Sequence, residues 1–446
     1  MNTSSKAPTN STFSQGNLIW WLLGIASLIR LAAIVNKGVL YDGHFDDAIG
    51  FMRSAMVLAA DGRLSFYAVA HSAREMPGYP AFLAVFFLLS KNTFVVYLMA
   101  KVALVLISVA SIYVLYLLGR RIGGVRVGLV AAVLLTFSMP HVYTGTLTLS
   151  ENPFMLLLLL ATLFLIRLAD EPSWRNLAVL IIVFCAALYI KQGAVGFLPP
   201  AALYLIARRY PWDKLVKHVF VAGIVIVLAL TPWWVRNYYV FGQFVPFTSY
   251  AGAPFFEGTF QRFLPYGTGE FAAMDQVLRG SSGSELAQSL LLERAGQQRL
   301  QARWAEDPRG VLYTYLVAKP VASWALPFYW DKVFGISGFW IARIHALVAA
   351  LGLALLAWFS FRSRARAEFL LMFLNVVVIT VGSAYYLGLS RFVYPYMPYL
   401  FVAVAYLVDM VAVLLAARWG NNPQRAKLNS PHRVRRELSV RPAHRP

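Results

Sequence analysis

The chain has one cysteine, Cys185, in 446 residues. No intramolecular disulfide can form, and no cysteine spacing marks a zinc or redox site. Charge is also scarce. Asp, Glu, Lys and Arg make up 13% of the residues, against about 25% in globular domains, which excludes an ordinary soluble enzyme. Acids are rarer than bases, 20 to 40. No Walker-type loop and no G-x-G-x-x-G turn occurs, and no soluble stretch is large enough for a nucleotide-binding domain. ATP-driven and nucleotide-sugar chemistry are disfavoured.

What is present is apolar. Hydrophobic residues reach 59% and the mean hydropathy is +0.60. Runs of about twenty apolar residues, the length that crosses a bilayer core, recur along the chain. They predict an all-α polytopic membrane protein with about ten spans: 18–37, 93–118, 127–144, 152–167, 177–193, 195–207, 219–235, 338–360, 369–387 and 393–416. The first is too long for a signal peptide and lacks a convincing cleavage site, so it reads as a retained helix. Residues 1–17 and 417–446 read as disordered cytoplasmic segments, the latter basic, flanking a membrane domain of 18–416.

Charge placement sets the expected orientation. With the first residue cytoplasmic, the short connections and tail on that side hold 21 basic residues and five acids. The positive-inside rule then puts both termini in the cytoplasm and loops 38–92 and 236–337 outside. The surplus of positive charge is mostly a topology signal, so nucleic acid is not expected as a partner. Segments 47–60 and 79–90 read as interfacial helices, and 308–330 is aromatic-rich and suited to the headgroup zone.

Fourteen of the twenty acids fall outside. Asp46 and Asp47 open an amphipathic helix soon after the first span, where one acid can cap the helix while its neighbour faces a cleft. Glu151 stands in LTLSENPF at the mouth of a span. It serves either as a helix-cap residue or as a functional carboxylate at membrane depth. Among the bases, Arg30 and Lys101 lie about two turns inside the outer boundary and are expected to snorkel to lipid headgroups. Lys191, Arg236 and Arg391 close three helix ends on the outer side. Converged, they would hold a phosphate through charge-assisted hydrogen bonds. His44-x-Asp46, with His71 and Glu75 later, lacks the spacing of a zinc site. No metal is assigned to these histidines, and a divalent cation stays open as a cofactor.

Six stretches in this order resemble the GT-C glycosyltransferases of the bacterial family 39 branch, related to protein O-mannosyltransferases and lipid A aminoarabinose transferases. They are the acidic pair Asp46-Asp47, MPGYPAFLAVFFLL, TLTLSENPF, Lys191 before LPP, PWWVRNYYVFGQFVPFTS and SRFVYPYMPYL. The resemblance covers about residues 18–416. It implies a GT-C-type helix bundle in a bacterial inner membrane, a polyprenyl-phosphate sugar donor, and a lipid, glycan or protein acceptor on the outer face. It implies an Asp base in the first outer loop, with an aromatic four residues on and a small residue at eight. Asp47, followed by Phe51 and Ala55, fits better than Asp46, followed by Gly50 and Ser54. Glu75 matches a position where an acid or base precedes the Pro-rich turn, Glu151 the second outer acid, and Lys191 the basic residue at the end of the fifth span. Some relatives carry a basic residue directly before the Pro of the PGYP turn, where this chain has Met76, with Arg74 two earlier. A secondary transporter or lipid flippase is the alternative class, but no repeated halves with matching broken helices are found.

Overall fold

The computed structural model describes residues 17–43, 45–68, 70–260 and 284–419, with positions 269 and 272 between them. His44 and the terminal segments 1–16 and 420–446 lie outside the described residues. Every regular element among the described residues is helical.

Helix α1 (Leu18–Lys37) opens the chain, and α2 (Asp46–Asp61) and α3 (Gly78–Leu89) occupy the first long loop. Next come α4 (Thr93–Gly123), α5 (Val125–Phe137), the short α6 (Met139–Thr144), α7 (Glu151–Asp170) and α8 (Trp174–Ile190). A 3₁₀ turn (Gln192–Phe197) leads into α9 (Leu198–Ala207), followed by α10 (Trp212–Phe241). The second long loop carries α11 (Gly252–Gly258), α12 (Glu285–Glu306), α13 (Pro308–Tyr313), a π-turn (Thr314–Ala318) and α14 (Lys319–Ala325). Helices α15 (Gly338–Arg362), α16 (Arg366–Tyr385), the short α17 (Ser390–Val393) and α18 (Met397–Trp419) end the bundle.

All ten apolar runs are therefore helical. Among the described residues seven helices are long and apolar enough to cross a membrane, and Gly78–Leu89, Val125–Phe137, Trp174–Ile190 and Gln192–Ala207 are shorter apolar helices. A continuous apolar core runs through the bundle, and a small satellite core of Ala253, Phe256, Phe260 and Leu292 joins α11 to α12. Helix α10 stays peripheral, with most of its apolar face outward. That suits lipid as solvent, because apolar surface costs nothing against acyl chains.

Two expectations are corrected. Arg30 and Lys101 do not snorkel; both are fully buried. Helix α5 stops at Phe137, ahead of Pro140, and leaves carbonyls without intrahelical partners. Arg30 fills that gap, donating to the carbonyls of Leu135 (3.3 Å) and Thr136 (3.5 Å) and, through Nε, to Ser108 Oγ at 2.8 Å. A cation at a helix C-terminus is favoured there. Lys101 donates to the Tyr41 carbonyl. Asp42 beside it accepts from Thr148 N (3.1 Å) and Oγ1 (2.9 Å). This stitches the end of α1 to the loop that enters α7.

The capping role is also absent. Helix α2 begins at Asp46 itself behind Phe45, and α7 begins behind Ser150, in both cases without a side-chain cap bond.

Candidate active site

Glu151, the first residue of α7, carries the centre of the site. Its side chain is 0% exposed. Oε1 accepts from Lys191 Nζ at 2.8 Å and from Arg391 Nε at 2.5 Å. Arg391 continues through Nη1 to Asp47 Oδ2, also 2.5 Å. On the far side of Asp47, Arg74 Nη2 lies 3.9 Å from Oδ1. Lys191, Glu151, Arg391, Asp47 and Arg74 thus form one row of alternating charge. Ion pairs of this kind, with charge-assisted bonds, are the strong class of polar contact. Glu151 Oε2 is buried and has no hydrogen-bond partner among the described residues.

Each member is placed by a break in a helix or by a close contact. Lys191 sits where α8 gives way to the 3₁₀ turn. Next to it, the start of α3 lies against the end of α8 so closely that a Cβ on Gly78 would come within 2.6 Å of the Tyr189 carbonyl. Only glycine fits this approach. Arg391 sits in the short α17, which is tied to the start of α7 through Tyr394. The Tyr394 hydroxyl donates to Asn152 Oδ1 at 2.8 Å and meets the Thr144 hydroxyl, while Asn152 Nδ2 donates to the Thr144 carbonyl at 3.1 Å.

Arg74 is framed by rings. Its guanidinium lies 3.3 Å from the Tyr250 ring centre and 4.5 Å from that of Phe66, and it donates to Tyr67 OH at 2.8 Å. Such stacking suits the planar guanidinium. Glu285 of α12 binds the neighbouring stretch, accepting from Ser72 Oγ (2.6 Å), Ala73 N (3.1 Å) and the Ser249 hydroxyl. Ser249 N donates to the Ala73 carbonyl at 2.8 Å. The two long loops are thereby joined directly over the site.

Of the residues expected from sequence, Asp47, Glu151, Lys191 and Arg391 meet. Asp46 is exposed at the start of α2. Arg236 is held elsewhere, by Asn237 Oδ1 (2.9 Å), the Leu64 carbonyl (3.4 Å) and the rings of Trp233 and Phe241. Glu75 is buried below the row, accepting from Ser54 Oγ at 2.5 Å, with Oε2 unpartnered among the described residues. Burial pushes its carboxyl up to about 8, only partly offset by the Ser54 bond, so it is mostly neutral at pH 7. Among the described residues no group of three His, Cys, Asp or Glu side chains is arranged to hold a metal ion. Arg74 was not singled out as a site residue from sequence. The signal was its place two residues before the PGYP turn, on the loop that carries Glu75.

At neutral pH the row sets three cations against two carboxylates, one positive charge in excess. A site with that balance can take a monoanion whose oxygens replace a carboxylate partner.

Similarity to solved structures shows that this helix bundle has the GT-C fold. Residues 72–235 match the family model of dolichyl-phosphate-mannose-protein mannosyltransferases. Among solved structures the chain is similar to the oligosaccharyltransferase of Archaeoglobus fulgidus tethered to an acceptor peptide with an NVT sequon. The TM-score is 0.54 at 13% identity, over 95% of this chain and 53% of that one. This chain thus spans about half the length of the archaeal protein. It is also similar to ArnT from Cupriavidus metallidurans bound to undecaprenyl phosphate, with a TM-score of 0.42 at 12% identity over 90% and 80% of the two chains. No curated protein sequence matches the chain.

Proposed function

We propose that the chain transfers a sugar from a polyprenyl-phosphate donor to an acceptor hydroxyl on the outer face of a bacterial inner membrane, by a single inverting displacement. The observation that carries this reading is the row Lys191–Glu151–Arg391–Asp47–Arg74. It puts an excess cationic charge and a partly exposed carboxylate side by side at the edge of apolar helices. A polyprenyl phosphodiester carries one negative charge at that depth. The undecaprenyl phosphate bound to ArnT is a ligand of the same chemistry.

Lys191 and Arg391 hold the donor phosphate. As the phosphate takes Arg391, Asp47 loses a charge partner and becomes a better base. The acceptor oxygen bonds to the anomeric carbon while its proton passes to Asp47. The bond from the anomeric carbon to the phosphate oxygen breaks, and its electron pair leaves with the lipid phosphate. Lys191 and Arg391 stabilise that developing charge. The joined outer loops keep bulk water from the activated sugar. Arg236, which is not a member of the row, is assigned to anchoring at the interface.

The test uses membranes of a strain lacking the protein as the source of donor and acceptor. Purified chain in nanodiscs is added, and glycolipids and glycans are compared by mass spectrometry. A sugar-sized mass gain is expected, lost with Asp47→Asn, reduced at least tenfold with Lys191→Ala and only mildly affected by Asp46→Asn. Loss of transfer in Asp46→Asn with full transfer in Asp47→Asn moves the base by one residue. No mass gain with the native chain refutes the reading.

A further inference from the structure

The charge row has two ends, and only one is accounted for by a phosphate. Lys191 lies at the apolar end, between α8 and the 3₁₀ turn. The opposite end passes Asp47 to Arg74, 3.9 Å away, and then to Tyr250, whose ring stacks 3.3 Å from the Arg74 guanidinium. Tyr250 leads directly into α11, which carries Glu257. This helix is fixed on both sides. A Cβ at Gly258 would lie 2.1 Å from the Tyr386 carbonyl, so α11 rests on the backbone of the turn that leads to Arg391. Phe255 stacks on Tyr385 at 5.1 Å. Glu257 is half-buried, and no described residue donates a hydrogen bond to its carboxylate. The charges acting on it are those of Arg74 and Asp47. Burial raises its proton affinity, Arg74 opposes that shift, and Asp47 adds to it.

An inverting displacement needs the attacking oxygen opposite the leaving phosphate. With the phosphate at Lys191 and Arg391, the attacking oxygen approaches from the Arg74–Tyr250 end. This step rests on the transfer reading above. We propose that Glu257 is an acceptor-side residue, accepting a hydrogen bond from a donor group next to the reacting hydroxyl. It thereby selects acceptors that carry no phosphate or carboxylate beside that oxygen. A carboxylate here meets hydroxyl, amide or ammonium groups favourably, and an anionic group would face both Glu257 and Asp47. Burying like charges together is costly, so specificity follows from repulsion as well as attraction. Arg74 offsets the charge of both carboxylates and is itself held by Tyr250.

The test has two arms, run on full-length chain in nanodiscs with deletion-strain membranes as substrate source. In the first, fragmentation of the glycosylated product locates the modified oxygen. An oxygen with no phosphate or carboxylate on the adjacent carbons is expected; a phosphate or carboxylate there overturns the proposal. In the second, Glu257→Gln is titrated with acceptor. The expected result is a roughly tenfold rise in apparent KM with kcat changed less than threefold, partial recovery in Glu257→Asp, and unchanged affinity for undecaprenyl phosphate. A wild-type KM in Glu257→Gln overturns the acceptor role while leaving the transfer reading intact. Failure of the native chain both to bind undecaprenyl phosphate and to transfer overturns the two together.

Discussion

Replacing Glu151 with Gln removes one negative charge from a buried position and leaves the shape nearly unchanged. Lys191 at 2.8 Å and Arg391 at 2.5 Å then face an amide in place of a carboxylate. Each lost pair is worth about 4 kcal/mol by Coulomb's law at 4 Å and an effective dielectric of 20. Measured costs of breaking one side of a buried pair run at about 3–5 kcal/mol. Here the low end applies, because Arg391 keeps Asp47 and the Lys191 side chain is 25% exposed. The expected loss is about 3 kcal/mol, read as a lower midpoint of denaturant unfolding in detergent. A phosphate should restore much of it. With Glu151 neutral, two positive charges are in excess, and no carboxylate competes with the ligand for Lys191. Affinity for undecaprenyl phosphate should rise on the order of tenfold, about 1.4 kcal/mol. Ligand titration by native mass spectrometry measures this, with the unfolding midpoint followed with and without ligand. A destabilised variant that binds phosphate more weakly than the native chain refutes the assignment of Lys191 and Arg391 as the phosphate grip. Unchanged stability refutes the buried bridge.

Gly78→Ala should destabilise the protein by about 1–3 kcal/mol, since its Cβ would meet the Tyr189 carbonyl at 2.6 Å; native-like unfolding would show that α3 and α8 are not in contact. Glu75 is protonated in the fold up to about 8, against an ordinary 4.5 when exposed. A raised carboxyl makes stability fall as pH rises through 4.5–8 and level off above, by several kcal/mol at most. Glu75→Gln should flatten that slope in midpoints taken at pH 5, 6, 7 and 8, and an unaltered slope excludes Glu75 as its source. For topology, cysteines placed at the exposed Ala70 and Gln297 in a Cys185→Ser background should react with a membrane-impermeant maleimide added outside, and one at the exposed Arg209 should not; the reverse pattern inverts the orientation.

The helices were legible because apolar runs of spanning length admit few other structures. Glu151, Lys191 and Arg391 were legible for a related reason: an isolated charge at the mouth of an apolar helix is costly, so it stands out; Asp47 was legible only through the spacing that the resemblance implies. Direction along a helix face was not. Arg30 and Lys101 have apolar neighbours on every side, and the same sequence suits a side chain facing lipid or facing the core. Only the early end of α5, with its free carbonyls, decides that Arg30 turns inward. Arg236 looked equivalent to Arg391, but its partner is the next residue, Asn237. Glu257 was invisible for a different reason. It is one of many loop acids, and its closeness to Asp47 depends on α11 settling against the Tyr386 turn, a contact between parts of the chain far apart in sequence.

The bond between Asp47 and Arg391 joins residues 344 positions apart. A chain made from its first residue onward contains α1 to α16 before Arg391 is added. Until then Asp47 has no Arg391 partner, and the cation pair around Glu151 is half assembled. The charge row is therefore completed only with α17. On the proposed reading, nascent or truncated chains that end before α17 would not draw on a lipid-linked donor pool.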